Sequence, residues 1–133
     1  MEKSKVDAVP RVSAEMLENF MKDVLVSVGV PKADADIVAD VLITADKLGI
    51  DSHGISRLKP IYYNRIKDGI LSPVTKMEVL REGPTTAVVD GHHGMGHVIS
   101  KRSMEMAIAK AKEYGSRPEQ AARSLHARSA PQC

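Results

Sequence analysis

The chain has 133 residues with 19 basic and 17 acidic side chains, a formal net charge of +2, and this length suits one domain with a core of ordinary size. Because charges of both signs are scattered and only 3% of the residues are aromatic, neither nucleic acid nor a membrane is expected as a partner. Residues 1–10 lack the apolar stretch of a signal peptide, no segment has the length of a membrane span, and Cys133 is the only cysteine, which excludes an internal disulfide. These features favour a cytoplasmic protein.

Two amphipathic helices are predicted near the N-terminus, after a flexible segment of residues 1–12. Ser13 can cap the first helix, in which apolar residues recur at helical spacing until Gly29. Pro31 suits the first position of the second helix, whose apolar stripe ends at Gly49. The two helices are predicted to form an antiparallel hairpin.

The next segment contains a proline that interrupts helical structure. Pro60 lacks the N–H that an interior helical position needs and disfavours helix at the residue before it. A short turn is therefore predicted from Ser52 to Leu58, with Ser52 or Asp51 as its cap, followed by a new helix from Pro60 to Lys67 that Gly69 ends.

The second half of the chain alternates strand and helix signals. A β-hairpin is predicted from Lys76–Arg81 and Thr86–Asp90, joined by a Glu-Gly-Pro turn. A helix is then predicted from about His97 to Tyr114, closed by a glycine. Residues 116–133 contain no lysine, valine, isoleucine or methionine, so a disordered tail is predicted there, with a frayed helix over 119–127 as the alternative.

A glycine-rich loop lies between the predicted hairpin and the last helix. Its glycines, Gly91, Gly94 and Gly96, run as G-x-x-G-x-G, whereas the dinucleotide fingerprint is G-x-G-x-x-G and needs an acidic residue after a second strand. The loop is therefore interpreted as a tight connection and not as a Rossmann-type phosphate site.

Three histidines, His92, His93 and His97, lie in or beside this loop. Adjacent side chains of an extended loop point to opposite sides, and only Asp90 is close enough to add a ligand. No metal site is predicted. These histidines are interpreted as loop residues, or one of them as a cap of the following helix.

The octapeptide from Asp51 to Leu58 carries the strongest chemical signal. Its His53 and Arg57 are four residues apart, so on a helix they would share one face. An imidazole can move a proton and a guanidinium can hold a carboxylate with two hydrogen bonds. The alternative is that both are ordinary surface residues. Ser52 has a hydroxyl that could touch the same ligand.

Tyr62 and Tyr63 follow the octapeptide and cannot both face inward. One of them is expected to line a pocket near Arg57, although a purely structural role fits as well. A Ser-His-Asp hydrolase is not supported, because Ser52 lacks the glycine frame of a nucleophile elbow.

In these residues the chain resembles the NAD(P)-dependent malate and L-lactate dehydrogenases, the family that includes sulfolactate and ureidoglycolate dehydrogenases. The resemblance covers about residues 13–115 and is carried by Ala45–Ile50, the octapeptide, Gly69, Val88–Gly91, Gly94, Gly96 and Ala109–Gly115. It implies a mixed α/β fold that is not Rossmann-type, of which this chain carries a helix-rich N-terminal portion, with about four to five helices and a β-hairpin.

The resemblance also implies an activity. Members of the family are oxidoreductases, usually cytoplasmic homodimers, that move a hydride between NAD or NADP and C2 of a small 2-hydroxy or 2-oxo acid of malate, lactate or sulfolactate type. The matching histidine, His53, is implied to be the catalytic residue beside substrate and nicotinamide, and Arg57 to grip the substrate carboxylate. Ser52 and Tyr62 are further candidates for substrate binding. A proton donor and a cation are what reduction of a 2-oxo acid needs.

The resemblance ends at Gly115. Family members continue into a buried strand and an Asn, Ser or Thr, x, His motif, whereas this chain continues with Ser116, Arg117 and Pro118, and His126 does not lie in such a motif. A truncated or frame-shifted chain that is inactive alone is therefore expected. The alternative is a small helical interaction or self-association module without catalysis, with Val79, Val88 and Val89 exposed.

Overall fold

The structure is a computed structural model that describes residues 10–115 and, as backbone, 125–128. Helix α1 spans Ala14–Ser27, and the Ser13 hydroxyl accepts a hydrogen bond from the N–H of Met16 at 3.2 Å. Helix α2 spans Lys32–Lys47. Pro31 precedes its first residue instead of being that residue, and it lacks only an N–H that would have no helical acceptor. The predicted helix pair is confirmed.

The inner faces of α1 and α2 form the centre of the hydrophobic core. The buried side chains at this contact are Met21, Leu25, Ala35, Val38, Ala39, Leu42 and Ile43. Leu58, Tyr62, Met95 and Val98 close the same cluster from the later part of the chain. The first two helices therefore supply the rigid wall against which the octapeptide and the last helix pack.

The segment after α2 is not one regular helix, and it also lacks the break that was predicted before Pro60. Two 3-10 turns, Asp51–His53 and Ile55–Arg57, lead into a π-helical segment, Leu58–Tyr63, that continues as α3, Asn64–Lys67. The prediction that helix begins at Pro60 is wrong by two residues. The proline lies in the first turn of this helical segment, where the missing N–H costs little.

Two antiparallel strands follow, β1 at Glu78–Glu82 and β2 at Ala87–Asp90, with an irregularity in the register between Val79 and Arg81. The predicted hairpin is confirmed. The expectation that all three of its valines would be exposed is wrong for β2, because Val89 is fully buried and Val88 half-buried, whereas Val79 is 40% exposed.

Helix α4 spans Gly96–Tyr114 and ends at Gly115, whose positive φ of 68° favours glycine. The backbone of Leu125–Arg128 forms β3, which pairs in parallel with β2 and makes a three-stranded sheet of order β1-β2-β3. The strand falls where a disordered tail or a frayed helix was expected, while residues 116–124 and 129–133 lie outside the described residues. In the described part, no helix is both long and apolar enough to cross a membrane.

Candidate functional site

A cavity of about 490 Å3 opens between α2, the octapeptide, the π-helical segment and the start of α4. Four of its lining side chains are basic or can become cationic, and the others are apolar or aromatic. They are His53, Arg57, Arg65 and His97, with Val41, Leu42, Ala45, Ile61 and Tyr62. Because no acidic side chain is among these described lining residues, the cavity suits a small anionic ligand.

His53 and Arg57 reach this cavity by a route different from the predicted one. They lie on two separate 3-10 turns with Gly54 between them, in an extended conformation (φ −92°, ψ −145°), so the argument from one helical face is wrong. The structure nevertheless brings both side chains to the wall of one cavity. Three of the four residues proposed for the site, His53, Arg57 and Tyr62, line it.

Gly54 makes this double turn possible. The Asp46 carboxylate accepts a hydrogen bond from the N–H of Ile55 at 2.8 Å and fills the space in which a Cβ at residue 54 would lie. The last turn of α2 therefore holds the octapeptide through one carboxylate and one glycine, and the backbone path between His53 and Arg57 is fixed.

Ser52 contacts both residues of the pair. Its carbonyl oxygen accepts a hydrogen bond from Nε of Arg57 at 2.6 Å, and its hydroxyl lies 2.9 Å from Nδ1 of His53. The prediction that Ser52 caps a helix is wrong, because the turn at Asp51–His53 has no side-chain cap. The serine instead restrains the orientation of the imidazole and the guanidinium.

Tyr62 is the buried member of the site, at 8% exposure, and its hydroxyl lies 3.1 Å from Nδ1 and 3.3 Å from Nε2 of His97. The expectation that one tyrosine lines a pocket near Arg57 is confirmed for Tyr62. Burial raises the pKa of Tyr62 to about 12, although the nearby Arg57 guanidinium acts in the opposite direction. Burial also lowers the pKa of His97. Both groups are therefore neutral near pH 7.

Sequence reasoning did not assign Arg65 or His97 to the site. Arg57, Ile61 and Arg65 recur every four residues and all three line the cavity, so helical spacing continued from Arg57 into the helical segment after the octapeptide would have identified Arg65. No local pattern identifies His97, because its contact with Tyr62 joins residues 35 positions apart in the chain.

The glycine loop after β2 is folded on itself. The N–H of His92 bonds to Asp90 Oδ1 at 2.8 Å, that of Gly94 to the Gly91 carbonyl at 2.8 Å, and that of Met95 to Thr75 Oγ1 at 3.1 Å. These donors are therefore not free to bind a phosphate, in agreement with the interpretation as a tight connection.

The loop histidines do not join the cavity, apart from His97. His92 and His93 adopt positive φ values of 45° and 58°, and Nε2 of His92 lies 2.7 Å from a carboxylate oxygen of Glu78. Over residues 10–115, no cluster of three or more potential ligands with the geometry of a metal site occurs.

Comparison with known proteins identifies the family to which the chain belongs. The sequence profile of the malate/L-lactate dehydrogenase family matches residues 12–130, which includes part of the segment after Gly115. Malate dehydrogenase of Pyrococcus horikoshii is 47% identical over 105 residues, covering 79% of this chain and 29% of that protein. L-Sulfolactate dehydrogenase of Methanocaldococcus jannaschii is 47% identical over 93 residues, covering 70% and 27%.

A solved structure has a similar fold over the matched residues. The crystal structure of malate dehydrogenase from Entamoeba histolytica superimposes with a TM-score of 0.76 at 46% identity, covering 79% of this chain and 29% of that one. The chain thus belongs to the malate/L-lactate dehydrogenase family. It spans less than a third of the length of the relatives that it matches.

Proposed function

We propose that this chain provides the substrate-acid part of the active site of an NAD(P)-dependent 2-hydroxy-acid dehydrogenase. The reaction would transfer a hydride between NAD(P)H and a small 2-oxo acid of malate, lactate or sulfolactate type. The observation that carries the proposal is the convergence of His53, Arg57 and Tyr62 on one cavity without an acidic lining residue among those described. The names of the relatives, malate and L-sulfolactate dehydrogenase, point to the same class of substrate.

Arg57 is assigned to the substrate carboxylate. Its Nε already donates to the Ser52 carbonyl oxygen at 2.6 Å, so a carboxylate would be held by the two terminal amino groups. Paired charge-assisted hydrogen bonds of this kind fix the orientation of the acid as well as its position. The Ser52 contact supports the assignment because it restrains the guanidinium before the ligand arrives.

His53 is assigned to proton transfer. With Nδ1 placed 2.9 Å from the Ser52 hydroxyl, Nε2 is the nitrogen that can face the substrate. A protonated imidazole would donate its Nε2 proton to the oxygen at C2 as the carbonyl is reduced, and would recover a proton from solvent. Ser52 is assigned to substrate binding through its contacts with His53 and Arg57. Tyr62 is assigned to substrate binding through its hydroxyl.

The cofactor assignment is limited to His53, which is exposed at the cavity and would contact a nicotinamide ring. A bound NAD or NADP would supply or accept the hydride. The His53 imidazole at the cavity fits a nicotinamide ring beside it, whereas the N–H groups of His92, Gly94 and Met95 in the glycine loop are already paired within the protein and are not available to a diphosphate. The use of NAD or NADP as cofactor belongs to this proposal. A homodimeric assembly and a cytoplasmic location are further parts of it.

The second cationic side chain, Arg65, favours substrates with two negative groups. It lines the cavity with Arg57. Malate and sulfolactate carry a second anionic group, whereas lactate does not. We therefore rank the malate and sulfolactate type of acid above lactate.

The alternative is a helical interaction module. It draws support from α1, where Met16 and Phe20 are 64% and 54% exposed, since exposed apolar side chains at helical spacing can bind a partner helix. The module explains neither the Ser52 contacts nor the basic lining of the cavity.

The test is a titration of the isotope-labelled chain with L-malate, followed by nuclear magnetic resonance, with the uncharged diamide of malate as control. The proposal expects shifts confined to the lining residues and to Ser52, and none with the diamide. Equal responses to both compounds would contradict an anion site, whereas self-association without a malate response would favour the interaction module.

A further inference from the structure

The contact between Tyr62 and His97 leaves the polar edge of the imidazole unused. The Tyr62 hydroxyl lies 3.1 Å from Nδ1 and 3.3 Å from Nε2 of His97. An oxygen almost equidistant from both nitrogens at this range cannot lie in the plane of the ring, because it would then collide with the carbon between them. It therefore lies over the face of the ring. Neither nitrogen uses its in-plane hydrogen-bonding direction on the tyrosine.

No other described side chain takes up these two directions. Within residues 10–115, the His97 ring has no further hydrogen bond and no ion pair. The ring is half-buried and lines the cavity together with Arg57 and Arg65. Polar groups that are withdrawn from solvent normally have a partner. The edge of the ring is therefore available to a molecule that occupies the cavity.

The surroundings of His97 determine what kind of ligand group fits there. The other titratable or charged side chains that line the cavity are His53, Arg57, Tyr62 and Arg65, and none of them is acidic. The two guanidinium groups repel a cation and attract an anionic oxygen. Burial lowers the pKa of His97, so the ring is neutral near pH 7 and carries one N–H donor and one acceptor nitrogen. The N–H is the group that an anionic oxygen can use.

The proposed function leaves one group of the substrate without a neutral donor. Arg57 is assigned to the carboxylate and His53 to the oxygen at C2, so the second anionic group of a malate-type acid has only Arg65. We propose that His97 is a substrate-binding residue, whose ring N–H donates a hydrogen bond to this second anionic group beside Arg65. The inference rests on the proposed function for the identity of the acid. Tyr62 packs on the face of the ring and restrains its orientation.

The experiment compares the binding of L-malate and of L-lactate to the full chain, because lactate lacks the second anionic group. His97→Phe removes the donor and should weaken malate binding by about 10-fold, the size of one hydrogen bond to a charged group, with lactate binding unchanged. His97→Gln retains an N–H donor and should bind malate within about threefold of the wild type.

The matched control is His93→Asn. That histidine is exposed and does not line the cavity, and asparagine tolerates its positive φ of 58°. Neither acid should bind differently to this variant.

The titration of the His97 ring provides a readout that a purely structural role would not change. An anion at the ring N–H stabilises the imidazolium form, so saturating malate should raise the pKa of His97, whereas lactate should leave it unchanged. Nuclear magnetic resonance of the ring measures this, and the signal of His53 is followed separately because that imidazole also lines the cavity.

The outcomes separate the inference from the proposed function. Equal weakening of malate and lactate binding in His97→Phe, or the same pKa of His97 with either acid, would overturn the inference, because the ring would then act through the fold alone. The proposed function survives that result if malate binding still requires Arg57. If malate does not bind the wild-type chain, the proposed function fails and the inference fails with it.

Discussion

The carboxylate of Asp46 occupies the space beside Gly54 in which a side chain would lie, and it accepts a 2.8 Å hydrogen bond from the N–H of Ile55. The end of α2 is thereby joined to the two turns that carry His53 and Arg57. The relationship is steric, since the φ of Gly54 is −92° and lies in a region that other residues adopt.

Gly54→Ala should therefore reduce both stability and ligand binding. The new methyl group would displace a carboxylate that is already engaged, at a cost of about 1–3 kcal/mol in the free energy of unfolding. Urea unfolding and malate titration measure the two effects. Gly96→Ala is the control, because a Cβ there has nothing within 4 Å; it should leave stability equal or slightly higher. Equal stability of both variants would contradict this reading of the turn.

A second prediction concerns the ion pair between Asp34 and Arg102, which joins the first turn of α2 to the helix that carries His97. The two side chains are 2.5 Å apart, Asp34 is 2% exposed, and Arg102 also donates to the Thr75 carbonyl at 3.3 Å. Arg102→Met leaves a buried carboxylate without its cation and should cost about 3 kcal/mol of unfolding free energy.

The control for that ion pair is Lys32→Met, which removes an ion pair with Asp36 in which the lysine is 85% exposed. It should change stability by less than about 0.5 kcal/mol. If the two variants lost the same stability in denaturant unfolding, the buried pair would have no special role.

A third prediction follows from the lowered pKa of His97 in the folded chain. As the pH falls below the ordinary histidine value of about 6.5, the unfolded chain takes up a proton on this residue before the folded chain does. The stabilising contribution of neutral His97 is therefore present above about pH 6.5 and is lost as the pH decreases further.

Urea unfolding between about pH 8 and pH 5 measures this contribution through its dependence on pH. The decrease in stability should be smaller in His97→Gln than in the wild type and unchanged in His93→Gln, whose side chain is exposed. If the stability of His97→Gln decreased with falling pH as much as that of the wild type, the pH dependence would come from other groups.

A fourth prediction concerns turnover by the 133-residue chain. With oxaloacetate and NADH, little or no oxidation of the cofactor is expected, because the N–H groups of His92, Gly94 and Met95 in the glycine loop are paired within the protein and cannot also bind the cofactor diphosphate. Absorbance of NADH at saturating oxaloacetate is the measurement. Clear turnover that His53→Gln abolishes would show that the chain carries a complete site.

The elements that the sequence predicted well have local causes. The cap at Ser13 and the positive φ of Gly29, Gly49 and Gly115 fix helix ends through residues adjacent in the chain. The helical start at Leu58 was missed, because a proline two residues later looked like a barrier and is in fact in the first turn.

In the candidate site, too, the residues that lie close together in the sequence could be predicted, whereas a contact between distant residues could not. His53 and Arg57 are close in sequence, so their residue types and the family resemblance pointed to them. The Tyr62 contact with His97 depends on how α4 packs against the π-helical segment, and no spacing rule relates residues that far apart. Ser52 was correctly predicted to belong to this region, but the predicted partner of its hydroxyl was wrong. The hydroxyl contacts the imidazole of His53 and not a backbone N–H at a helix start.

The most direct test of the account is the affinity of L-malate for Arg57→Met, compared with the wild type and with Arg81→Met, whose arginine is exposed on β1 and outside the cavity. Loss of the charge-assisted hydrogen bonds at Arg57 predicts binding weaker by about 10- to 100-fold, with Arg81→Met unchanged. Arg57→Lys should restore binding only in part, because an ammonium cannot make the planar paired contact. Wild-type affinity in Arg57→Met would contradict the assignment of this cavity to the substrate acid.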